Sequence, residues 1–442
     1  MNILIIGASF AGLTAAMECQ KRYPQATIYL IDKEESIGYF PNALNWKVKG
    51  EISSWEEARV GYFEGLEQSA VHFLLGWECI SIEATSKKIR LKKEESLQEL
   101  SYDYLILAMG AQQVWEHQSV DLSEKILTTK SLGQAKKSLE KLGEAGRVTV
   151  IGAGQIGLES LEALSRLPIQ IRLIESQEWP LAKYFDQDMV DFIWEEFDRI
   201  DLDYHFSETV NEVYLDEIGQ VQLNSLQGTY LSDFVLLGTN FRPHSDLVEG
   251  LVDLHTDGSI LVDDYLETSQ SGIFAVGDLI RMPVTMFGKA YLPMINHAML
   301  TGRLVAENLL AKKKRLKPVQ RIVSTHVFGY NLTSVGLTER EANLWLDTDT
   351  IRIRQPFSQW DEKEIDFKMV VSREDGRILG GQLVSSSDHM AQMNVLALAI
   401  SKNMTVEDLL QESWLCLPGR TDLQPFIMEA ANQYFWQKSD QE

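Results

Sequence analysis

Cysteine is scarce in this chain, with 3 in 442 residues. An odd, sparse count excludes a disulfide-stapled scaffold and points to a reducing compartment. No run reaches about 18 uninterrupted apolar residues, so no membrane-spanning helix is expected. Positive charge is in the minority: 41 Lys and Arg face 64 Asp and Glu, a net charge of −23. Such a surface repels phosphate backbones and anionic lipid, which argues against nucleic-acid partners and membrane insertion. With Gly 29 and Pro 11 the chain is neither collagen-like nor low-complexity. None of the 8 histidines stands at metal-ligand spacing from a second His or Cys, so no metal is expected. Met1-Asn2 runs straight into Ile3-Leu4-Ile5-Ile6 without the basic segment of a secretory leader, so a cytoplasmic location is expected. What remains is ordinary globular composition, 45% hydrophobic and 24% charged, at about three times the usual domain length.

Two segments carry most of the chemical information. In the first, the apolar run Ile3–Ile6 ends in Gly7-Ala8-Ser9-Phe10-Ala11-Gly12. Leu13 to Arg22 read as a helix, Ala26 to Ile31 as a second strand, and Asp32 closes that strand. Gly7 allows a tight turn, and Gly12 lets helix and strand pack closely. The helix N-terminus faces a pyrophosphate, and an acid about 20 residues past the glycines can accept from a ribose. Ser9 replaces the middle glycine but still offers its backbone N–H. The second segment is cleaner: strand Val148–Ile151, then Gly152-Ala153-Gly154-Gln155-Ile156-Gly157, helix Leu158 to Arg166, strand Ile169 to Ile174, and Glu175. A carboxylate at Glu175 favours a free ribose 2′-hydroxyl and repels a 2′-phosphate, so NAD(H) is expected over NADP(H). Two such units imply two dinucleotides, and FAD with NAD(H) is the natural pair for passing a hydride. The apolar run Ile273-Phe274-Ala275-Val276 ending in Gly277-Asp278 supports FAD, since Asp278 can take a ribityl hydroxyl.

These motifs resemble the FAD-linked pyridine nucleotide-disulfide oxidoreductases, within them the branch of NADH oxidases, NADH peroxidases and coenzyme A-disulfide reductases. The resemblance also rests on Tyr102–Ala111, Leu236–Pro243, the helix after Leu292-Pro293 and Thr405–Leu409. It implies an α/β fold with two Rossmann-like dinucleotide-binding domains, for FAD and NAD, and a C-terminal α+β dimerisation domain. The expected segments are 1–112 and 243–316 for FAD, 113–242 for NAD(H), and 317–442 for dimerisation. Carried over residue by residue, Gly7, Ser9, Phe10, Ala11 and Gly12 line the FAD pyrophosphate, and Asp32 and Lys33 hold the adenosine ribose. Ala108, Met109 and Gly110 fall where the family crosses the FAD. Asp278 binds the ribityl chain. Leu292 and Pro293 flank the flavin, with Pro293 as the first residue of a helix whose dipole faces flavin N1/O2. Gly152, Gly154, Gln155, Gly157 and Glu175 take the NAD(H), while Glu159 and Gly238 fall in the nicotinamide pocket.

The departures decide the expected activity. By offset, Asn42 falls where this branch carries its redox cysteine, and an amide carries no electrons. Phe10 stands where an active-site histidine often occurs, Gln155 where an aromatic gates the flavin face, and Met109 in place of a threonine. Cys19 reads as a packed core thiol and Cys79 as part of an alternating strand. Cys416, in Ser413–Gly419, is the remaining candidate thiol. His297, one turn into the helix from Pro293, is a candidate acid or base beside the flavin, and His326 reads as structural. Asp121 to Glu144 reads as a surface helical connection, Asn296 to Ala311 as a helix, and Lys312–Arg315 as a solvated linker. Residues 318–442 read as strands with two helices. The leading expectation is an FAD-dependent NADH oxidoreductase, a homodimer, with Asn42, Gln155, Glu159 and His297 nearest the chemistry. It would pass electrons from NADH through the flavin to O2 or to another small-molecule or protein acceptor. The alternatives are a thiol-dependent family activity through Cys416 and a retired FAD/NAD(H)-binding sensor.

Overall fold

A computed structural model describes residues 1–66, 69–113, 122–239, 241–286, 288–358, 361–415 and 425–439. The chain divides into two compact units, Met1–Ala145 with Thr239–Pro318, and Gly146–Gly238 with Val319–Glu442. No helix among the described residues is long and apolar enough to cross a membrane.

The first unit is built on five parallel strands in the spatial order Ile273–Ala275, Tyr104–Leu107, Asn2–Ile6, Thr27–Asp32, Val71–Leu75. Ile3, Leu4 and Ile5 are fully buried, as a strand covered on both faces requires. Strand order reverses at Asn2–Ile6, and open α/β sheets bind their ligands beside the C-terminal end of the strand at such a switch point. The helix Phe10–Arg22 begins at the glycine-rich turn itself, three residues ahead of the expected Leu13. It packs against Ile295–Asn308 so closely that a Cβ on Gly302 would lie 2.4 Å from the Ala11 carbonyl oxygen.

Three helix expectations in this unit are corrected. Pro293 is not the first helical residue. Met294, extended at φ −136° and ψ 143°, is the N-cap, so the first turn starts at Ile295. At the other end the helix stops at Asn308 instead of Ala311, because the Asn308 amide oxygen accepts from the backbone N–H groups of Lys313 (3.0 Å) and Lys314 (2.9 Å) and turns the chain away. Within the connection read as helical from Asp121 to Glu144, only Leu132–Leu142 is helical among the described residues, started by a capping box of Ser131 and Gln134. Lys312–Arg315 is exposed as expected and paired with Asp263, Glu267, Glu307 and Asp264.

The second unit repeats the parallel theme with Asp203–His205, Gln170–Ile174, Arg147–Ile151 and Phe234–Leu237. A three-stranded antiparallel sheet, Val210–Leu215, Val221–Ser225 and Thr229–Ser232, follows. Its C-terminal part is a five-stranded antiparallel sheet in the order Ile322–Val327, Tyr330–Gly336, Ile378–Ser385, Asp361–Ser372, Thr348–Ser358. Phe367, Leu383, Leu396, Phe426 and Ile427 form its core. Four helices occur there among the described residues, not the expected two: Glu339–Ala342, Met393–Ser401, Val406–Leu410 and Phe426–Ser439. The short ones are set by capping boxes, Thr338 with Glu341 and Thr405 with Asp408, a local signal that hydrophobic periodicity does not register.

Candidate functional site

The first glycine-rich turn is held by contacts that leave no room for a side chain at Gly7 or Gly12. Gly7 has φ +111°, and a Cβ there would sit 2.2 Å from the Ala108 carbonyl oxygen. A Cβ on Gly12 would sit 1.8 Å from the Gly7 carbonyl oxygen. Asp32 has a part the sequence did not reveal. Its Oδ2 accepts from the Ala8 N–H at 2.6 Å and its Oδ1 from the Glu34 N–H at 2.9 Å, so the carboxylate braces the loop. Burial pushes the Asp32 carboxyl above its ordinary range, and the two N–H donors work against that rise. Lys33 is exposed.

Around this turn the unit assembles further expected residues. Gly277, at φ +67°, would place a Cβ 2.9 Å from the Ala11 Cβ, which sets Gly277-Asp278 against the start of the first helix. The Gly277 N–H donates to Thr301 Oγ1 at 2.9 Å. Asp278 lies in a short 3-10 turn, Gly277–Leu279, past the strand Ile273–Ala275, and pairs with Lys130 at 3.3 Å. Lys130 also lies over the Phe241 ring at 5.3 Å. Sequence reading missed Lys130, since nothing near it in the chain marks its partner. Phe10 is buried and packs on Phe40, 5.9 Å between ring centres. Ala108 is buried, Met109 and Gly110 are half-buried, and Gly110 has φ +74° with open space where a Cβ would stand. Leu292 is buried and Pro293 half-buried. His297 is 4% exposed, its Nδ1 3.4 Å from the Leu292 carbonyl oxygen. Asn42 is the N-cap of Ala43–Lys49, and its Oδ1 accepts from Asn45 Nδ2 at 2.5 Å.

The second turn has the same construction. Gly152 has φ +99°, and a Cβ on Gly157 would stand 1.8 Å from the Gly152 carbonyl oxygen. Gly238 meets both, since its Cβ would lie 2.9 Å from the Gly152 oxygen and 2.9 Å from the Gly157 Cα. Glu175 repeats the brace: Oε2 accepts from the Ala153 N–H at 2.5 Å, and Oε1 accepts from the Gln177 N–H at 2.7 Å. A Cβ on Gly154 would meet nothing nearer than the Gly238 oxygen at 4.0 Å. That openness at the middle glycine explains why the first unit accommodates Ser9, which is exposed. The helix Gln155–Leu164 then presents Gln155 and Glu159 to the strand Ile322–Val327. Gln155 Nε2 donates to the Ser324 carbonyl oxygen at 2.6 Å, and Thr325 Oγ1 donates to Glu159 Oε1 at 2.5 Å.

The described thiols are unsuited to redox work. Cys19 is fully buried and Cys79 half-buried. Burial pushes each up to about 12, so both stay protonated at neutral pH. Cys416 lies outside the described residues. His326 Nδ1 lies 3.0 Å from Asn331 Oδ1 on the neighbouring strand.

Comparison with known proteins agrees with this geometry. Residues 1–302 match the family described as pyridine nucleotide-disulphide oxidoreductase, and residues 322–418 match that family's dimerisation domain. The chain is similar to an NADH oxidase of Enterococcus faecalis V583, 28% identical over 418 residues covering 92% of this chain and 94% of the relative. A Lactococcus lactis NADH oxidase is 27% identical over 431 residues, covering 92% and 94%. Among solved structures, a pyridine nucleotide-disulfide family oxidoreductase from Enterococcus faecalis V583 is 32% identical, with full coverage of both chains and a TM-score of 0.87. The water-forming NADH oxidase from Lactobacillus brevis, 24% identical, shares the fold at a TM-score of 0.90 over 100% of this chain and 99% of that one. The expected α/β fold and the expected kinship are therefore established: this chain belongs to the pyridine nucleotide-disulphide oxidoreductase family and is an NAD(P)H oxidoreductase.

Proposed function

We propose that the protein is an FAD-dependent NADH oxidoreductase, acting as a homodimer, that delivers electrons to O2 or another small acceptor. One observation supports this most: a carboxylate-braced glycine turn at the start of a long helix occurs twice, once in each unit. Each turn offers backbone N–H groups and a helix dipole to a pyrophosphate. The turns fit such a group, because their glycines pack backbone to backbone and leave the position of Ser9 and Gly154 open. In this reading the first unit takes FAD on Gly7–Gly12, with Asp32 and Lys33 at the adenosine ribose and Asp278, paired with Lys130, at the ribityl chain. Ala108–Gly110, Leu292 and Pro293 flank the same cofactor. The second unit takes NADH on Gly152–Gly157, with Glu175 at the ribose and Glu159 and Gly238 at the nicotinamide. The relatives named NADH oxidase support the choice of NADH and of oxygen as an acceptor.

Bound FAD supplies the two-electron chemistry, receiving a hydride from NADH. The chain's part is alignment and exclusion of water. Asn42 brings an amide instead of a thiol to the loop after Asp32, and Cys19 and Cys79 are held protonated. Both facts support a flavin that works without a thiol from the described residues, with NADH, a proton and O2 giving NAD+ and hydrogen peroxide. An anaerobic NADH titration tests this. Bleaching is expected to finish at one NADH per FAD. An endpoint at two NADH per FAD, or a long-wavelength thiolate–flavin band, would reveal a second centre and overturn the role given to Asn42. FAD-loaded protein that NADH fails to reduce would overturn the reading as a whole.

A further inference from the structure

Gln155 and Glu159 stand four residues apart on the helix Gln155–Leu164, so their side chains share a face. That face meets two consecutive residues of Ile322–Val327 within the same unit, Ser324 through its carbonyl and Thr325 through its hydroxyl. The strand alternates, with Val323, Thr325 and Val327 buried and Ser324 and His326 exposed. Thr325, 3% exposed, is thus a polar residue in a row of valines. A buried hydroxyl carries a desolvation cost unless it is bonded, and here its acceptor is a carboxylate, which makes the bond charge-assisted. Sheet packing alone would be served by valine at this position.

We propose that Thr325 is a positioning residue for the nicotinamide end of NADH: by donating to Glu159 Oε1 it holds that carboxylate in the orientation that receives the nicotinamide carboxamide. The Gln155 to Ser324 bond holds the start of the same helix against the same strand. The nicotinamide site is then completed by a strand from the dimerisation segment, not by the glycine-rich unit alone. This rests on the reading of Glu159 as a nicotinamide-pocket residue. A carboxylate accepts up to about four hydrogen bonds, so one bond fixes its rotation without exhausting its capacity.

The test uses FAD-loaded enzyme with Thr325→Val, Thr325→Ser and Glu159→Gln. NAD+ affinity is read by calorimetry, KM and kcat by NADH turnover, and integrity by FAD content and melting temperature. Loss of a hydrogen bond to a charged group predicts that Thr325→Val weakens NAD+ binding and raises the KM for NADH about tenfold. kcat changes little, because the carboxamide contact is held alike in ground and transition states. Thr325→Ser, which keeps the donor, restores wild-type values. If Glu159→Gln weakens binding and Thr325→Val does not, the inference on Thr325 fails while the reading of Glu159 stands. If Glu159→Gln leaves affinity intact, the reading of Glu159 fails and takes the inference with it. Equal loss of FAD content and melting temperature in both Thr325 variants, with unchanged KM, would make the residue merely structural.

Discussion

Gly157→Ala is the sharpest test of how the second turn is held. The added Cβ would lie 1.8 Å from the Gly152 carbonyl oxygen and 3.0 Å from the Gly152 carbonyl carbon. Ordinary van der Waals contact needs roughly 3.5 Å, so helix and turn must separate by more than an ångström. Overpacking of this kind costs about 1–3 kcal/mol, which in a unit of this size lowers the melting temperature by roughly 2–12 °C. The turn carrying Ala153 would open, and NAD+ affinity would fall with it. Gly154→Ala is the matched control, since its nearest neighbour would be 4.0 Å away. It should leave both the ligand-free melting temperature and NAD+ affinity close to wild type, because Ser9 stands at the matching position of the first turn. FAD content should match wild type in both, as the first unit is untouched. Differential scanning calorimetry with and without NAD+ reads both effects. A Gly157→Ala protein with wild-type melting temperature and affinity would show that backbone crowding does not set this turn.

Further outcomes are expected. Cys19 and Cys79, protonated until about 12, should resist alkylation of the native protein at pH 8, and a mass shift on either would refute the assignment. Asp278→Ala should release FAD about 10–100-fold more readily, through loss of a charged hydrogen-bond partner, visible as a lower flavin-to-protein absorbance ratio. Asp366 is partly buried, which pushes its carboxyl up, but hydrogen bonds from Arg352 and Arg354 prevail and hold it below the ordinary 3.8. A depressed folded-state value stabilises above the unfolded value, and that stability is lost as pH falls through the folded value. Asp366→Asn should therefore lower the melting temperature at pH 7. The gap to wild type should narrow below about pH 4, and a gap independent of pH would contradict the pairing.

The geometry of the two glycine-rich turns was legible because its determinants are local. Gly7, Gly12, Gly152 and Gly157 mark turns whose crowding follows from a few consecutive residues, and Asp32 and Glu175 sit at the ends of strands that the apolar runs announce. The first helix starts at Phe10, ahead of the expected Leu13, because the helix takes in the last residues of the glycine-rich segment, which read as turn in the sequence. Pro293 misled in the opposite direction. Proline is preorganised for a helix start, but Met294 stays extended and delays the turn. Pairings across long stretches of chain had no local trace at all: Lys130 with Asp278, Glu159 with Thr325, and the packing of Gly302 on Ala11 exist only once the strands are ordered in space.

The braces on the two turns bear on how cofactor preference could change. Under the proposed reading Glu175 both discriminates at the ribose and ties down Ala153 through its N–H. Removing the charge to admit a 2′-phosphate would also untie the turn meant to hold the pyrophosphate. Relaxed specificity would then come with poorer binding of either dinucleotide. Conversion to NADPH calls for paired changes, one that welcomes the phosphate and another that supplies a new acceptor for the Ala153 N–H. The wiring of one carboxylate thus makes cofactor choice a two-step evolutionary move with a weakened intermediate.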